Sequence, residues 1–365
     1  MNTNLRIHLL CVTALLLVPL SSFSQGRLDP TTGPAPTMKT LDEVEARIPI
    51  NATNTPGNEN AHFVITQRGS YYLTGNISAT KPTAIYISVV GVTLDLNGFM
   101  ISRSGAPAGT GILLNSANRI VVRNGFIQNF GKGIDFETAA NAHDGAYVDL
   151  VVTNCADDGL YGGRDWIVDR CVVANNGSTG IIVGDGSRVS RSVARGNGLG
   201  IFANNSTITG CSASGNKGDG IRADSGSCVS DSVARSNGRA GIFNSGGATI
   251  SRCSASANVG PGIVAGSESL VLNNDCVGNG TGSLPAAGIR VQGSGSRIDS
   301  NNTANNDIGI QVADAGNIII KNSSRGGTTA YSIATGNSMG QEINVFNAST
   351  TTVINNSNPW ANFSY

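Results

Sequence analysis

Side chains able to do chemistry are sparse in this sequence, and they gather in one stretch. Residues 132–170 hold eight carboxylates: Asp135, Glu137, Asp144, Asp149, Asp157, Asp158, Asp165 and Asp169. Lys132, His143, Tyr161, Arg164 and Trp166 lie among them. Lys132, Asp135, Asp157, Asp158, Tyr161 and Arg164 are the candidate catalytic residues, and they fit two kinds of sugar chemistry. Paired carboxylates can act as acid and base in glycoside hydrolysis. A carboxylate cluster can instead hold Ca²⁺ against a uronate while Lys132, Arg164 or Tyr161 removes a proton, as a lyase or epimerase requires. The plainer reading is a set of solvated turn residues with one local ion pair, worth at most ~1 kcal/mol. Histidine offers little. Beyond the first 24 residues only His62 and His143 occur, neither with nucleophile or zinc-site spacing.

The elements that must position these residues are short and repeated. The 365 residues include 48 Gly and 39 Asn, but only 5 Lys and 6 Glu, which excludes a helical bundle or an α/β fold. A Gly-Ile pair (once Gly-Leu) recurs with its apolar member at 112, 134, 160, 181, 201, 221, 242, 263, 289 and 310. Most steps are 20–22 residues; two, 134 to 160 and 263 to 289, are 26. Four residues before most of these glycines stands an Asn (129, 176, 216, 237, 258 and 305), with Asn197 one place off. Short alternating runs such as Ile208-Thr-Gly-Cys211-Ser-Ala213 fill the unit. A unit this short cannot close its own core, so it must stack, each strand pairing with its equivalent ~4.8 Å along the axis. The Ile after each Gly then points inward. The Asn sits in a left-handed turn and passes an amide hydrogen bond to the next coil.

Setting Gly133-Ile134 against Gly159-Leu160 stacks Lys132 beside Asp158 and Asp135 beside Tyr161, all facing outward. The long step at 137–147 reads as a loop standing off the stack, where sites tend to be built. The expected fold is therefore all-β: a single-stranded parallel β-helix (solenoid) of about 10–12 coils.

Over roughly 85–340 this pattern resembles the secreted right-handed parallel β-helix proteins, the pectin-lyase-like superfamily. The stretch MKTLDEVEARIPI, followed by FVITQRGSYYLTGNI and VTLDLNGF, resembles the opening segment of a group of exported bacterial β-helix proteins of unassigned activity. Asp157-Asp158 matches the paired aspartates of the superfamily's polygalacturonases. The NTD, GHG and RIK elements that accompany that pair are missing, so hydrolase activity does not carry over.

Residues 1–24 read as a signal peptide: Arg6, an apolar run from Ile7 to Leu20, then Ser22 and Ser24 before cleavage at Gln25. Residues 25–60 form a Pro-rich linker and N-terminal cap, with a capping-box spacing at Thr40 and Glu43. The β-helix spans 61–340. Residues 341–365, with Trp360, Phe363 and Tyr365, form a C-terminal cap over the last coil. The expected protein is secreted or periplasmic, has no transmembrane segment, and is a monomer. Its net charge of zero gives no case for nucleic acid.

Six cysteines remain after the leader: 155, 171, 211, 228, 253 and 276. Cys171, Ser192, Cys211, Ser232 and Cys253 share one column, which puts neighbouring thiols two coils apart, beyond the ~7 Å limit for a disulfide. Buried free thiols are expected, with Cys155–Cys171 the one pair to check. An outward stripe of Arg170, Arg191, Arg195, Arg235 and Arg252 reads either as a track for an anionic polysaccharide or as ordinary surface charge, the reading preferred here. Two functions follow: an exported β-helix that binds or processes an extracellular polysaccharide, or a non-catalytic adhesin, spacer or accessory module.

Overall fold

The computed structural model describes residues 47–115, 118–136, 142–282, 286–345 and 357–365. The expected leader, the Thr40–Glu43 turn and the tip of the 137–147 loop lie outside the described residues. Within them every regular element is a strand, and no helix is long and apolar enough to cross a membrane.

Each coil folds through three short faces. In one repeat these are Thr179–Val183, Arg188–Ser190 and Val193–Arg195, after which the chain returns to the first face at Leu199–Asn204. Strands of the first face stack into a parallel sheet of thirteen, from Ala61–Ile65 to Thr329–Ile333. The second and third faces are joined in one larger sheet, because Ile120–Gln128 and Ala146–Thr153 run through both. Thirteen rungs exceed the 10–12 coils expected. The additional rungs place Phe63, Ile85 and Tyr331 in the column, where His62, Ala84 and Ala330 replace the glycine that marks the repeat.

The inward stack follows the sequence pattern. Ile134, Leu160, Ile181, Ile201, Ile221, Ile242, Ile263, Ile289 and Ile310 pair rung to rung, each fully buried. Burying such a side chain contributes about 1.5–3 kcal/mol, which gives each coil its grip on the next. The glycine before it is required by close approach rather than by its backbone angle. A Cβ on Gly220 would stand 2.5 Å from the Asn237 amide nitrogen and 2.7 Å from the Gly241 carbonyl.

Bends between faces are made by left-handed residues. One column of these is Asp149, Arg170, Arg191, Gly210, Asp231, Arg252, Asn273, Ser300 and Lys321; another includes Asn129, Asn154, Asn175, Gly196, Gly215, Ser236 and Ala257. Most are followed by an inward residue whose side chain bonds the neighbouring coil, whereas Phe130 and Leu150, after Asn129 and Asp149, are apolar. The clearest ladder runs through Asn176, Asn197, Asn216, Asn237, Asn258, Asn279 and Asn306. From Asn176 to Asn279 each backbone N–H donates to the next Asn Oδ1 at 2.9–3.2 Å, and each side-chain N–H₂ to the same oxygen at 2.8–3.3 Å. The hydrogen bonds pass as expected, but the ladder residue is the one after the left-handed turn. Asn129 and Asn305 are therefore turn residues, while Asn197 is in full register. Its offset arises because the ladder residue stands three positions before the glycine in some coils and four in others, with the long step after Asn279 the exception.

The Cys/Ser column is a second ladder: Cys171 N–H donates to Ser192 Oγ and Cys211 N–H to Ser232 Oγ, both at 3.1 Å. All six described cysteines are free. Burial pushes the Cys155, Cys211 and Cys253 thiols up to about 11 and Cys171 to about 12. Cys155 belongs to the Asn ladder, donating its N–H to Asn176 Oδ1 at 2.9 Å, so it occupies a different column from Cys171.

At the C-terminal end the chain re-enters the stack. Asn362–Ser364 inserts between Ser323–Arg325 and Glu342–Asn344, parallel to both. Asn362 Oδ1 accepts the Asn322 N–H at 3.0 Å and so extends the Cys/Ser column, which runs on from Cys253 through Asn274, Asn301 and Asn322. Phe363 is thus part of a rung, and Trp360 packs under Lys321, whose ammonium lies 4.8 Å from the ring centre.

Candidate functional site

Strand Lys132–Phe136 carries Lys132 and Asp135, and the next rung of the first face carries Tyr161. Ile134 pairs with Leu160, so Asp135 lies beside Tyr161 and Lys132 beside Asp158, the stacking expected from the repeat. Lys132 Nζ reaches Asp135 Oδ2 at 2.8 Å. That hydrogen bond holds the lysine pKa above its ordinary value; burial opposes it, and the nearby charges of Asp135, Asp157 and Asp158 reinforce it. Lys132 is therefore a fixed positive charge at neutral pH and is unsuited to removing a proton.

The three carboxylates differ in what else they do. Asp158 Oδ1 accepts the Thr179 N–H of the following coil at 2.8 Å. Asp219, in the same place before its own Gly, accepts the Ala240 N–H at 3.0 Å, so this slot fastens one coil to the next. Asp135 is committed to Lys132. Asp157 is half-buried and forms no side-chain hydrogen bond among the described residues.

Tyr161 rests on an aromatic cluster. Its ring meets Phe136 edge-on at 5.4 Å, Phe136 meets Trp166 at 5.5 Å, and Trp166 meets Tyr147 at 5.2 Å. The Tyr147 hydroxyl donates to the Tyr161 carbonyl at 2.7 Å and so fixes that strand's position. Arg164 stands apart: it is exposed, is bridged through its backbone to His143, and forms no ion pair among the described residues. His143 Nδ1 lies 2.9 Å from Asp144 Oδ2 instead. The patch thus gathers Lys132, Asp135, Asp157, Asp158 and Tyr161 and leaves Arg164 at its edge. Among the described residues no three His, Cys, Asp or Glu side chains are arranged to hold a metal ion.

The basic stripe proves to be largely neutralised. Arg170 grips Asp149 through two bonds of 2.7 Å, Arg252 grips Asp231 at 2.7 and 2.8 Å, and Arg191 reaches Asp169 at 2.6 Å. Three of its five cations are spent on neighbouring coils. The sequence reading of ordinary surface charge does not include these ion pairs.

Sequence reasoning missed a groove of about 460 Å³ on the same first face. Its floor is Phe243, Val264, Arg290 and Gln311, successive members of one outward column. Arg239, Pro261 and Gly282 are among the residues that wall it. The available signal was the second 26-residue step, from Ile263 to Ile289, whose extra length supplies Gly282 and Ala286.

Among known proteins, a family model described as a right-handed beta helix region matches residues 158–285. No curated protein matches by sequence. Two solved structures from Azotobacter vinelandii are similar in shape. The A-module of mannuronan C-5 epimerase AlgE6 has a TM-score of 0.66 and 15% identity, covering 74% of this chain and 89% of its own. The A-module of AlgE4 has a TM-score of 0.65 and 16% identity, covering 74% and 91%. Together the three-faced parallel coil, the family match and these likenesses show that the chain is a right-handed parallel β-helix, the fold implied by its sequence resemblance to the pectin-lyase-like superfamily.

Proposed function

We propose that this chain is an exported β-helix that binds an extracellular polysaccharide along its first face. The supporting observation is the outward column of that face: Asp135, Tyr161, Ile182, Phe202, Arg222, Phe243, Val264, Arg290 and Gln311, in unbroken rung-to-rung register. Rings and hydrogen-bonding groups recur along it at ~4.8 Å steps, comparable with the length of a sugar residue. Rings serve apolar sugar faces, and polar side chains serve the hydroxyls. That two similar modules are named for a polysaccharide, mannuronan, agrees with this reading.

A second reading has one observation behind it: Asp135, Asp157 and Asp158 all act on Lys132, three rungs from half-exposed Phe202. Here the patch processes the bound chain as a lyase, epimerase or glycoside hydrolase. Lys132, being held charged, would bind rather than deprotonate, leaving Asp157 or Tyr161 as base.

Calorimetric titration of the full chain with polygalacturonate, mannuronan and xylan tests the proposal. At least one is expected to bind, with Tyr161→Ala and Phe202→Ala each weakening it severalfold. Failure of all three to bind, or unchanged affinity in both variants, would refute it. Unsaturated products or new reducing ends in the same samples, lost in Asp157→Asn, would establish the second reading.

A further inference from the structure

We propose that the groove around Arg290 is a subsite for the carboxylate of an acidic sugar residue. This rests on the polysaccharide reading and assigns one place and one chemistry within it. The groove spans the rungs Ile242–Phe243, Ile263–Ala265, Ala287–Val291 and Ile308–Val312, four coils along the first face from Tyr161.

Its charge is unbalanced. Arg239 and Arg290 both line it, and neither is in an ion pair among the described residues. The one carboxylate in its lining, Asp219, is buried and turned to the Ala240 N–H. This differs from the corner stripe, where Arg170, Arg191 and Arg252 each have an aspartate.

Arg290 is also held in place. The Gln292 side-chain carbonyl, in the amide orientation its surroundings require, accepts from Arg290 Nε at 3.1 Å and Nη2 at 3.3 Å. This orients the planar guanidinium and leaves Nη1 free to donate. Gln311, on the adjacent rung, adds an amide beside it. Phe243 supplies an apolar floor, and the Arg222 guanidinium stacks 5.0 Å from its ring centre. A sugar ring over Phe243 with its carboxylate toward Arg290 and Arg239 satisfies each of these groups, because a guanidinium matches a carboxylate through paired N–H bonds. A sulfate ester presents the same anionic oxygens, so the test separates the two sources.

Hexasaccharides are titrated into the full chain: oligogalacturonate, a carrageenan-derived hexamer that carries sulfate esters and no carboxylate, and cellohexaose. The uronate is expected to bind at least tenfold tighter than cellohexaose, with affinity falling as salt rises. Arg290→Gln and Arg239→Gln are each expected to cost about tenfold in uronate affinity, a clearly larger loss than in cellohexaose affinity, and to leave the circular dichroism spectrum unchanged. Equal uronate affinity in the double variant would overturn the subsite while leaving polysaccharide binding intact. A sulfated hexamer that binds tighter than the uronate would overturn the carboxylate assignment. Binding of none of the three would remove the polysaccharide reading itself, and the subsite with it.

Discussion

Replacing Asn237 by Ala is expected to destabilise the protein by about 3–5 kcal/mol. The side chain sits in the middle of the internal amide ladder and is fully buried. Its Oδ1 accepts from the Asn216 backbone N–H at 3.1 Å and from the Asn216 side chain at 2.9 Å. Its Nδ2 donates to the Ala213 carbonyl at 3.2 Å and to Asn258 Oδ1 at 3.0 Å. Alanine removes all four bonds and leaves donors of Asn216 unpaired away from water. An orphaned buried group costs ~1–3 kcal/mol beyond the lost bond, and a fully satisfied chain of amides makes each link stronger than it would be alone. In a solenoid each coil touches only its neighbours, so the loss falls on one interface. Unfolding in guanidinium chloride should show a lower midpoint, and a broadened transition if the two halves uncouple. A loss below 1 kcal/mol would mean that the ladder is decoration on an apolar stack.

Trp166→Ala is expected to cost about 3–5 kcal/mol, the range for deleting a fully buried large aromatic. The indole fills the space above Gly145 and Gly162, where a Cβ would stand 2.1 Å and 2.8 Å from its ring. It also supports Phe136 and Tyr147, and through them the strand that presents Tyr161. The indole N–H is buried and has no hydrogen-bond partner among the described residues. Trp166→Phe removes that unpaired donor while keeping much of the packing, so it should cost clearly less than alanine. Equal losses in the two variants would show that ring size alone decides stability here. With Trp166→Ala, affinity for any sugar bound at Tyr161 should fall as well, because the ring beneath it loses its support.

The periodic part of the molecule was the legible part. Ile201 or Ile242 points inward because a coil of about 21 residues returns the same position to the same face, and the glycine before each leaves room for an amide. Coils that lack the glycine were harder to see: Phe63 and Tyr331 occupy the same column but carry no marker. Registering Lys132 with Asp158 and Asp135 with Tyr161 needed only that period, and the structure has them so. What the period does not encode is how a side chain is already employed. Asp158 looks like a catalytic partner in sequence, yet its oxygen holds the Thr179 N–H. The anion track through Arg170 and Arg252, the less favoured of two sequence readings, is closed by Asp149 and Asp231 one coil away. Conversely, Arg290 drew no notice because nothing charged stands near it in sequence. It matters because no carboxylate among the described residues pairs with it.

The most direct measurement is a crystal structure of the full chain with bound oligogalacturonate. The sugar is expected along the thirteen-stranded face, with a ring over Phe243 and a carboxylate within hydrogen-bond distance of Arg290. Sugar density on the second or third face, with the first face bare, would contradict the proposed function.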